Sequence, residues 1–310
     1  MKTILRFAVV GYLCVASGLQ ADSSIDTANK YAWGANIGFM DWRPSAVDGV
    51  VIGEYIASGY IYAANVGWIH MGDGTPANNI QYSNASGTDF GVNYIIDPAS
   101  PGQASLRGFA YGANIGWINF EAVGNPRIRF TDGRLLGYAY SANCGWINLG
   151  ETGGTVFVQT DYIANGVDSD MDGLADAFEF QYLGGLGGNP SADNDGDGMT
   201  NLQEYQEGTN PALANERLRI LALAPNTGGT STPLTFTTTP SRLYSIQTTT
   251  AMTLAPPTTW TLNTHATLST HGPGIFQPDA GTMTTRTVIE GGSSTKRFYR
   301  AISVRPLPPP

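Results

Sequence analysis

Cysteine, histidine and charged side chains are scarce in this sequence. Its 310 residues include 2 Cys and 3 His, and Asp, Glu, Lys and Arg together make up 13%, where globular proteins average roughly 25%. So few Cys and His leave little for a zinc site or a Cys/His catalytic pair. The low charge content excludes a coiled coil, a charged helical bundle and a solvated tail.

Basic residues and long apolar runs are also few. Lys and Arg number 16 against 25 Asp and Glu, and this net charge of −9 argues against nucleic acid as a partner, because nucleic-acid binding needs a basic surface. The main apolar run spans residues 7–16, after Lys2 and Arg6. It predicts a signal peptide over 1–21, cleaved after Ala21, and is short for the alternative, a membrane anchor.

Cleavage would leave a chain with no transmembrane segment, because no later segment approaches the roughly 20 apolar residues that a spanning helix needs. Cys144 would then be the only cysteine, so an internal disulfide is excluded. We expect a secreted or cell-surface protein that is stabilised by its core, its repeats or a metal.

Glycine and aromatic residues are abundant, and residues 30–150 contain a fourfold aromatic repeat. The copies span 31–40, 60–69, 109–118 and 138–147, and their asparagines at 36, 65, 114 and 143 are 29, 49 and 29 residues apart. Each copy predicts a strand, a turn at Asn-x-Gly in which Asn and Gly both tolerate positive φ, and a return strand. We therefore predict an antiparallel β-repeat domain over 22–160, as a sandwich, a barrel or a propeller-like ring.

The two faces of the return strand differ. One face is apolar in all four copies and is predicted to point into the core. The other places an aromatic beside a polar residue and makes a candidate ligand face, formed by Trp68, Trp117, Asn119, Trp146 and Asn148. Three interpretations stay open: aromatic packing between repeats, carbohydrate binding, and protein adhesion. The copies resemble Gly-Trp-Ile repeats of uncharacterised bacterial secreted proteins, and this resemblance implies no activity.

Two twelve-residue stretches, 168–179 and 193–204, carry the oxygen-rich spacing of a calcium loop. Alternate carboxylates, a glycine at position 6 for the sharp turn, a backbone carbonyl at position 7 and a late glutamate supply the oxygens that calcium prefers. The candidate ligands are Asp168, Asp170, Asp172, Leu174, Asp176 and Glu179 in the first loop, and Asp193, Asp195, Asp197, Met199, Asn201 and Glu204 in the second.

These loops resemble thrombospondin type 3 calcium repeats and, more loosely, dockerin and EF-hand loops. The resemblance covers about residues 165–212, including the tail Asn201–Pro211, and implies two Ca²⁺ ions. No helix pattern enters the first loop, and only short exiting helices are expected. This favours a calcium-ordered connector over 161–212 rather than a calcium sensor; a dockerin-like module remains an alternative.

The last part of the chain is rich in Thr and in short alternating strands. It predicts a β-sandwich-like domain over 213–305 and resembles a C-terminal β module of bacterial secreted proteins. Residues 306–310 are mostly proline and predict a disordered tail.

The sequence thus predicts a mainly β protein that is not an enzyme. The leading hypothesis is a secreted, calcium-binding structural or adhesive protein of the bacterial surface, whose partners are calcium and a polysaccharide or another surface protein. A carbohydrate-binding module that uses the Trp/Tyr face of the repeat is the alternative. A polysaccharide hydrolase that uses paired carboxylates such as Asp41 and Glu54 is the least favoured.

Overall fold

A computed structural model describes residues 22–226, 230–252, 258–263, 274–289 and 296–310. The predicted signal peptide, residues 1–21, lies outside these residues. The described chain is mainly β, as predicted from its short alternating segments. None of the described helices is long and apolar enough to cross a membrane.

Residues 22–160 form thirteen strands. In chain order they are β1 (Ile25–Gly34), β2 (Gly38–Asp41), β3 (Val51–Ile52), β4 (Ile56–Ser58), β5 (Tyr60–Ala63), β6 (Gly67–His70), β7 (Val92–Ile96), β8 (Gln103–Gly112), β9 (Gly116–Asn119), β10 (Arg127–Arg129), β11 (Leu135–Ser141), β12 (Gly145–Gly150) and β13 (Val158–Thr160). Each copy of the aromatic repeat lies on one tight hairpin: β1–β2, β5–β6, β8–β9 and β11–β12.

The four hairpins close into an eight-stranded antiparallel barrel. Neighbouring hairpins pair through β2–β5, β6–β8 and β9–β11. The ring closes where β12 pairs with β1, with Trp33 opposite Asn148. Of the three arrangements open at the sequence level, the structure is therefore the barrel, which leaves none of these eight strands as a free edge.

The barrel separates the two faces of each strand. The residues predicted to face the core are all buried, namely Met40, Trp42, Ile69, Met71, Ile118, Phe120, Ile147 and Leu149. Cys144, in the turn between β11 and β12, is buried with a free thiol. The alternate residues, an aromatic and a polar residue in each return strand, lie on the outer face, because successive side chains of a strand lie on opposite faces.

The four repeat asparagines connect neighbouring hairpins. The Nδ2 amides of Asn36, Asn65, Asn114 and Asn143 donate to the carbonyls of Cys144, Ile37, Val66 and Ile115, respectively, at 2.9–3.0 Å. Each acceptor lies in the turn of the adjacent hairpin, so the bonds form a closed ring at one end of the barrel. Of the two residue types in the turn that tolerate positive φ, only the glycines, two residues after the asparagines, adopt it.

The 49-residue offset between the second and third copies accommodates an insertion. It contains β7, which pairs with the first half of β8, and a loop that places Phe90 against Trp117. Strands β3, β4 and β10 extend this second layer of sheet beyond the barrel.

The acidic segment after the barrel contains two short helical stretches. Helix α1 (Asp176–Phe178) runs directly into a π-helical turn (Glu179–Leu183), and α2 (Asn201–Glu207) follows the second acidic loop. The predicted exiting helices are therefore present, and they pack together through Phe178 and Tyr205, whose ring centroids lie 5.0 Å apart. Tyr55 of the barrel also packs against this cluster.

The C-terminal part forms two small sheets. Its described strands are β14 (Ile220–Leu223), β15 (Ser231–Thr237), β16 (Leu243–Thr249), β17 (Thr261–Leu262), β18 (Ile275–Phe276), β19 (Met283–Ile289) and β20 (Phe298–Val304). One sheet has the order β14–β15–β19; in the other, β16 pairs with β17, β18 and β20. Residues of both sheets, including Phe236 and Tyr244, form one apolar cluster.

This part packs directly on the barrel. Leu243 belongs to the barrel's apolar cluster, and Val304 and Leu307 pack against it. The sequence predicts a disordered tail over 306–310; in the structure Pro306 is buried and the Leu307 carbonyl accepts a hydrogen bond from the Ile163 amide at 2.8 Å. The difference arises because these contacts join residues far apart in the sequence, which composition alone does not reveal.

Candidate metal sites and the aromatic face

The first acidic loop is closed by its own carboxylates. Asp168 accepts hydrogen bonds from the backbone amides of Asp172 and Gly173, at 3.2 and 3.0 Å. Asp172 accepts from the amide of Leu174 at 2.9 Å. These bonds turn the chain tightly enough that oxygens of Asp168, Asp170 and Asp172 all lie within 4.8 Å of one another.

The second loop repeats the same pattern independently. Asp193 accepts from the amides of Asp197 and Gly198, at 3.1 and 2.9 Å, and Asp197 accepts from Met199 at 2.8 Å. Oxygens of Asp193, Asp195 and Asp197 again lie within 4.8 Å of one another. Gly173 and Gly198, at position 6 of the two loops, have φ of +96° and +97°, a conformation that glycine adopts without strain.

The closing glutamates lie in the first turns of the two helical stretches. Glu179 and Glu204 are fully buried, and one carboxylate oxygen of each has no hydrogen-bond partner. Such an oxygen costs free energy unless it is paired or bound to a cation. In the second site the Oδ2 atoms of Asp195 and Asp197 are likewise buried without a partner. This donor set, all oxygen and rich in charge, fits a hard cation.

The pKa values of the glutamates reflect the same environment. Burial, together with the charges of Asp195 and Asp197, raises the pKa of Glu204 to about 7. Burial also raises the pKa of Glu179, and the negative charges of Asp170 and Asp172 add to this effect. A cation bound among these groups would reverse both shifts.

The remaining predicted ligands occupy different environments. Leu174 is buried among apolar side chains, and Met199 donates its amide to Asp197. The carboxylate of Asp176 accepts from both the amide and the hydroxyl of Ser169, at 2.7 and 2.6 Å. The side-chain Nδ2 of Asn201 donates to the Asn189 carbonyl, and the Oδ1 atom of Asn201 is buried without a hydrogen-bond partner.

Arg217 is a residue of the second site that sequence reasoning missed. Its guanidinium donates to the Asp197 carbonyl and lies 4.0 Å from Asp197 Oδ2. No local pattern marks this residue, because it lies 20 positions after Asp197. It partly balances the negative charge of the second site.

Helix α2 connects the second site to both β parts of the molecule. Tyr205, which follows the ligand Glu204, donates its hydroxyl to Glu54 at 3.2 Å. Arg242 donates to the carbonyls of Tyr205 and Gln206 at 2.7 and 2.8 Å, where a cation is favourable at a helix C-terminus. Arg305 donates to Glu54 at 2.8 Å. We call this group of four residues, Glu54, Tyr205, Arg242 and Arg305, the joint.

A cavity of about 810 Å³ lies beside the joint, lined by residues of the barrel, the acidic segment and the C-terminal sheets. Glu54 and Arg242 lie at its wall, and their charged groups are 3.8 Å apart.

The two acids proposed for a hydrolase are both ion-paired in the structure. Asp41 contacts the Lys30 ammonium at 2.8 Å, and Glu54 contacts Arg305. His70 stacks on Tyr60, with ring centroids 4.7 Å apart, and burial lowers its pKa.

The candidate ligand face lies on the outside of the barrel. Trp68, Trp117 and Trp146 are 44–50% exposed, and the covered part of each ring packs against neighbouring aromatic side chains. The tyrosines of the outgoing strands share this face, and Tyr62, Tyr111 and Tyr140 lie directly opposite the three tryptophans. These tyrosines belong to the Trp/Tyr face of the carbohydrate-binding alternative, although the candidate residues named from the sequence did not include them.

Comparison with known proteins adds no relative: no family model, no curated protein and no solved structure matches this chain. Its function therefore has to be inferred from the residues of these sites.

Proposed function

We propose that this chain is a secreted, non-enzymatic calcium-binding protein with a structural or adhesive role. Two Ca²⁺ ions would order the segment that joins the barrel to a C-terminal, sandwich-like β domain. The observation that carries the proposal is the pair of identically bonded acidic loops, each closed by a fully buried glutamate with an unpartnered oxygen.

Each loop would bind one ion. The first ion would be held by Asp168, Asp170, Asp172 and Glu179, and the second by Asp193, Asp195, Asp197 and Glu204. The backbone carbonyls of Leu174 and Met199 would be further ligands. Asn201, with its unpartnered Oδ1, suits the second site. Asp176 is the least suited, because Ser169 occupies both of its oxygens. Calcium is favoured over magnesium because magnesium prefers fewer protein ligands.

Calcium would act on stability through the joint. Without a cation, the acidic groups of each loop repel one another and the buried glutamates are unfavourable. An ion that binds only the folded state adds about 1.4 kcal/mol per site at a free concentration ten times its Kd. Since Glu204 and Tyr205 are adjacent on α2, this stabilisation reaches the contacts with Glu54 and Arg242.

A calorimetric calcium titration tests the proposal. We expect two sites, with Kd of about 0.1–1 mM as in extracellular calcium modules. The variants Glu179→Gln and Glu204→Gln should each lose one site. Glu216→Gln is the control, because Glu216 is exposed and outside both loops. Absence of binding to the folded protein, or two sites retained in both loop variants, would refute the proposal.

A further inference from the structure

The outer face of the third and fourth hairpins presents aromatic rings around an amide group. In β9, β11 and β12, Asn119 lies directly opposite Tyr140, and Tyr140 lies directly opposite Trp146. Trp117 is on the same face as Asn119, two residues before it. We call these four residues the hairpin surface. Since neighbouring strands are about 4.8 Å apart, the row from Asn119 to Trp146 spans about 10 Å.

The rings of the hairpin surface are accessible. Trp117, Tyr140 and Trp146 are 44%, 42% and 47% exposed. Phe90 of the insertion packs against one side of Trp117, and each of the three rings is held by its neighbours while more than two fifths of its surface stays exposed. Large exposed aromatic groups of this kind mark a binding surface more often than isolated exposed apolar residues do.

Contacts within the hairpins hold the rings in place. Tyr140 and Trp146 meet edge to face with centroids 5.0 Å apart. Trp117 meets Tyr111 and Phe90 edge to face, at 4.9 and 5.0 Å. These contacts are favourable geometries for aromatic pairs, so a ligand that stacks on them loses little side-chain entropy.

Polar groups lie between the rings. The Oδ1 atom of Asn119 accepts a hydrogen bond from the Glu121 backbone amide at 2.5 Å. The Nδ2 donor of Asn119 has no hydrogen-bond partner among the described residues. On the far side of Trp146, Glu151 accepts from the Tyr138 hydroxyl and from Asn148, at 2.5 and 3.1 Å. Alternating ring faces and hydrogen-bonding groups match a sugar ring, which has an apolar face and a rim of hydroxyls.

The charges and composition select among possible ligands. The carboxylates of Glu121 and Glu151 flank the surface, and the chain has net charge −9, so nucleic acid and anionic polymers are disfavoured. The exposed large apolar side chains of the four hairpins are all Tyr, Trp or Phe. Rings of this kind can stack on the apolar face of a sugar, whereas adhesion to a protein, whose interfaces are also rich in Tyr and Trp, is the alternative outcome of the test. We propose that the hairpin surface binds a neutral polysaccharide.

The other hairpins are less suited to this role. Between the second and third hairpins, Phe90 packs against His70 and Trp117 and so occupies part of the outer face. Between the first and second, Asp41 lies beside Tyr62 and is paired with Lys30. Between the fourth and first, Asn148 lies opposite Trp33, but its side chain is engaged by Glu151 and by the Gly150 amide. The surface is therefore predicted to be local rather than a continuous belt around the barrel.

Binding to a panel of polymers tests the proposal. The intact protein would be incubated with cellulose, chitin, xylan and starch, and with polygalacturonate as the anionic comparison. We expect binding to at least one neutral polymer and little to polygalacturonate. Trp117→Ala and Trp146→Ala should each weaken that binding about fivefold, the loss of one aromatic stack. Quenching of tryptophan fluorescence by the matching oligosaccharide gives an independent readout.

Phe39→Ala is the matched control. It removes an exposed aromatic ring at the equivalent position of the first hairpin, outside the candidate ligand face, and should leave binding unchanged. Polysaccharide binding should also persist in the presence of a chelator. A failure of the polysaccharide proposal can therefore be distinguished from a failure of the calcium proposal. Any of three outcomes would overturn the proposal: the folded protein binds no neutral polymer, the three variants lose binding equally, or Trp117→Ala and Trp146→Ala change self-association alone.

Discussion

The repeat asparagines act across hairpins rather than within their own turns. Each amide donates to a carbonyl of the adjacent turn, and the four bonds close a ring that includes the contact from Asn36 to Cys144. The glycine two residues later has positive φ, and the amide of the next asparagine lies over it: the Asn65 Nδ2 atom is 3.6 Å from the position of a Cβ at Gly38. Both residue types of the turn are therefore needed for barrel closure.

We expect Asn65→Asp to destabilise the barrel. The substitution keeps the size of the side chain but replaces the NH₂ donor with an oxygen that faces the Ile37 carbonyl. Loss of this hydrogen bond should lower the free energy of unfolding by about 1–2 kcal/mol, measured by denaturant unfolding. Asn215→Asp, an exposed position, introduces the same charge and should change it by less than about 0.5 kcal/mol. Equal effects of the two variants would contradict a role for the ring.

The raised pKa of Glu204 predicts a pH-dependent second site. Its carboxyl must lose a proton to bind calcium. With a pKa of about 7 in the calcium-free protein, it is mostly protonated at pH 6 and mostly ionised at pH 8. We expect calcium affinity at this site to be about tenfold weaker at pH 6 than at pH 8, measured by titration at both values.

In the calcium-free protein, the raised pKa of Glu204 has the opposite effect on stability: the free energy of unfolding is higher at low pH. A carboxyl whose pKa is higher folded than unfolded stabilises the fold at low pH, and this contribution is lost as pH rises through 7. Without calcium, stability from this group should therefore decrease from pH 5 to pH 8. Glu204→Gln should reduce this dependence, and the part that remains belongs to other buried carboxyls such as Glu179, whose pKa is also raised. A dependence unchanged from that of the unmodified protein would mean that the assignment to Glu204 is wrong.

At the residue scale, the loops were predictable and their surroundings were not. The spacing of aspartates and glycine predicts the turns that the structure forms, because each hydrogen bond joins residues within five positions. The approach of Arg217 to Asp197 depends on how the chain returns after α2. Nothing in the sequence around Arg217 indicates that contact.

At the scale of elements, a local capping motif determines where helix α2 begins. Thr200 caps the helix: its hydroxyl accepts from the Gln203 amide at 3.3 Å, and the Gln203 side chain accepts from the Thr200 amide at 2.8 Å. This reciprocal pair is a capping box, which satisfies two amides of the first turn. Because Glu204 lies in that turn, the cap also positions a proposed calcium ligand.

Thr200→Ala should therefore weaken the second calcium site while leaving the first unchanged. Loss of an N-cap costs about 1 kcal/mol, which corresponds to about fivefold in calcium affinity if the helix forms only on binding. Calorimetry would resolve the two sites. Thr155→Ala, at an exposed position of the barrel, is the control and should change neither site. An unaltered second site in Thr200→Ala would mean that the helix is stable without its cap.

The hairpins show where prediction of elements succeeds. Alternation of aromatic and small residues predicts strands, and the faces predicted to be buried are buried in all four copies. Tail residues 306–310 show where it fails, since Leu307 packs on the barrel despite its proline-rich surroundings. Periodicity describes a strand's own faces, whereas the packing of an irregular segment depends on a distant surface.

At the scale of the whole molecule, the joint holds three parts of the chain together. The Glu54 carboxylate of the barrel contacts Tyr205, Arg242 and Arg305, and its side chain is 13% exposed. Buried charges that are paired in this way are costly to unpair. The joint is therefore predicted to determine how the C-terminal sheets pack against the barrel.

Glu54→Gln tests the joint. Removing the carboxylate leaves two guanidinium groups without their partner, and we expect the free energy of unfolding to fall by about 3–5 kcal/mol. Asp41→Asn is the matched control: it removes an acid from a more exposed ion pair on the same barrel, and should cost about 1 kcal/mol or less. Thermal unfolding with and without calcium measures both; similar losses in the two variants would show that the joint is no more than a surface ion pair.

The sequence by itself determined the features that depend on short spacings. These are the four strand–turn–strand units, the inward face of each strand and the two acidic loops, since each is set by neighbours only a few residues apart. The tertiary structure decided the rest. Closure requires β12 to pair with β1, the exposure of the tryptophans follows from that closure, and the joint unites Glu54 with Arg305, 251 residues away. Such contacts depend on how complete elements pack, because the free energy that selects them comes from surfaces that no local segment contains.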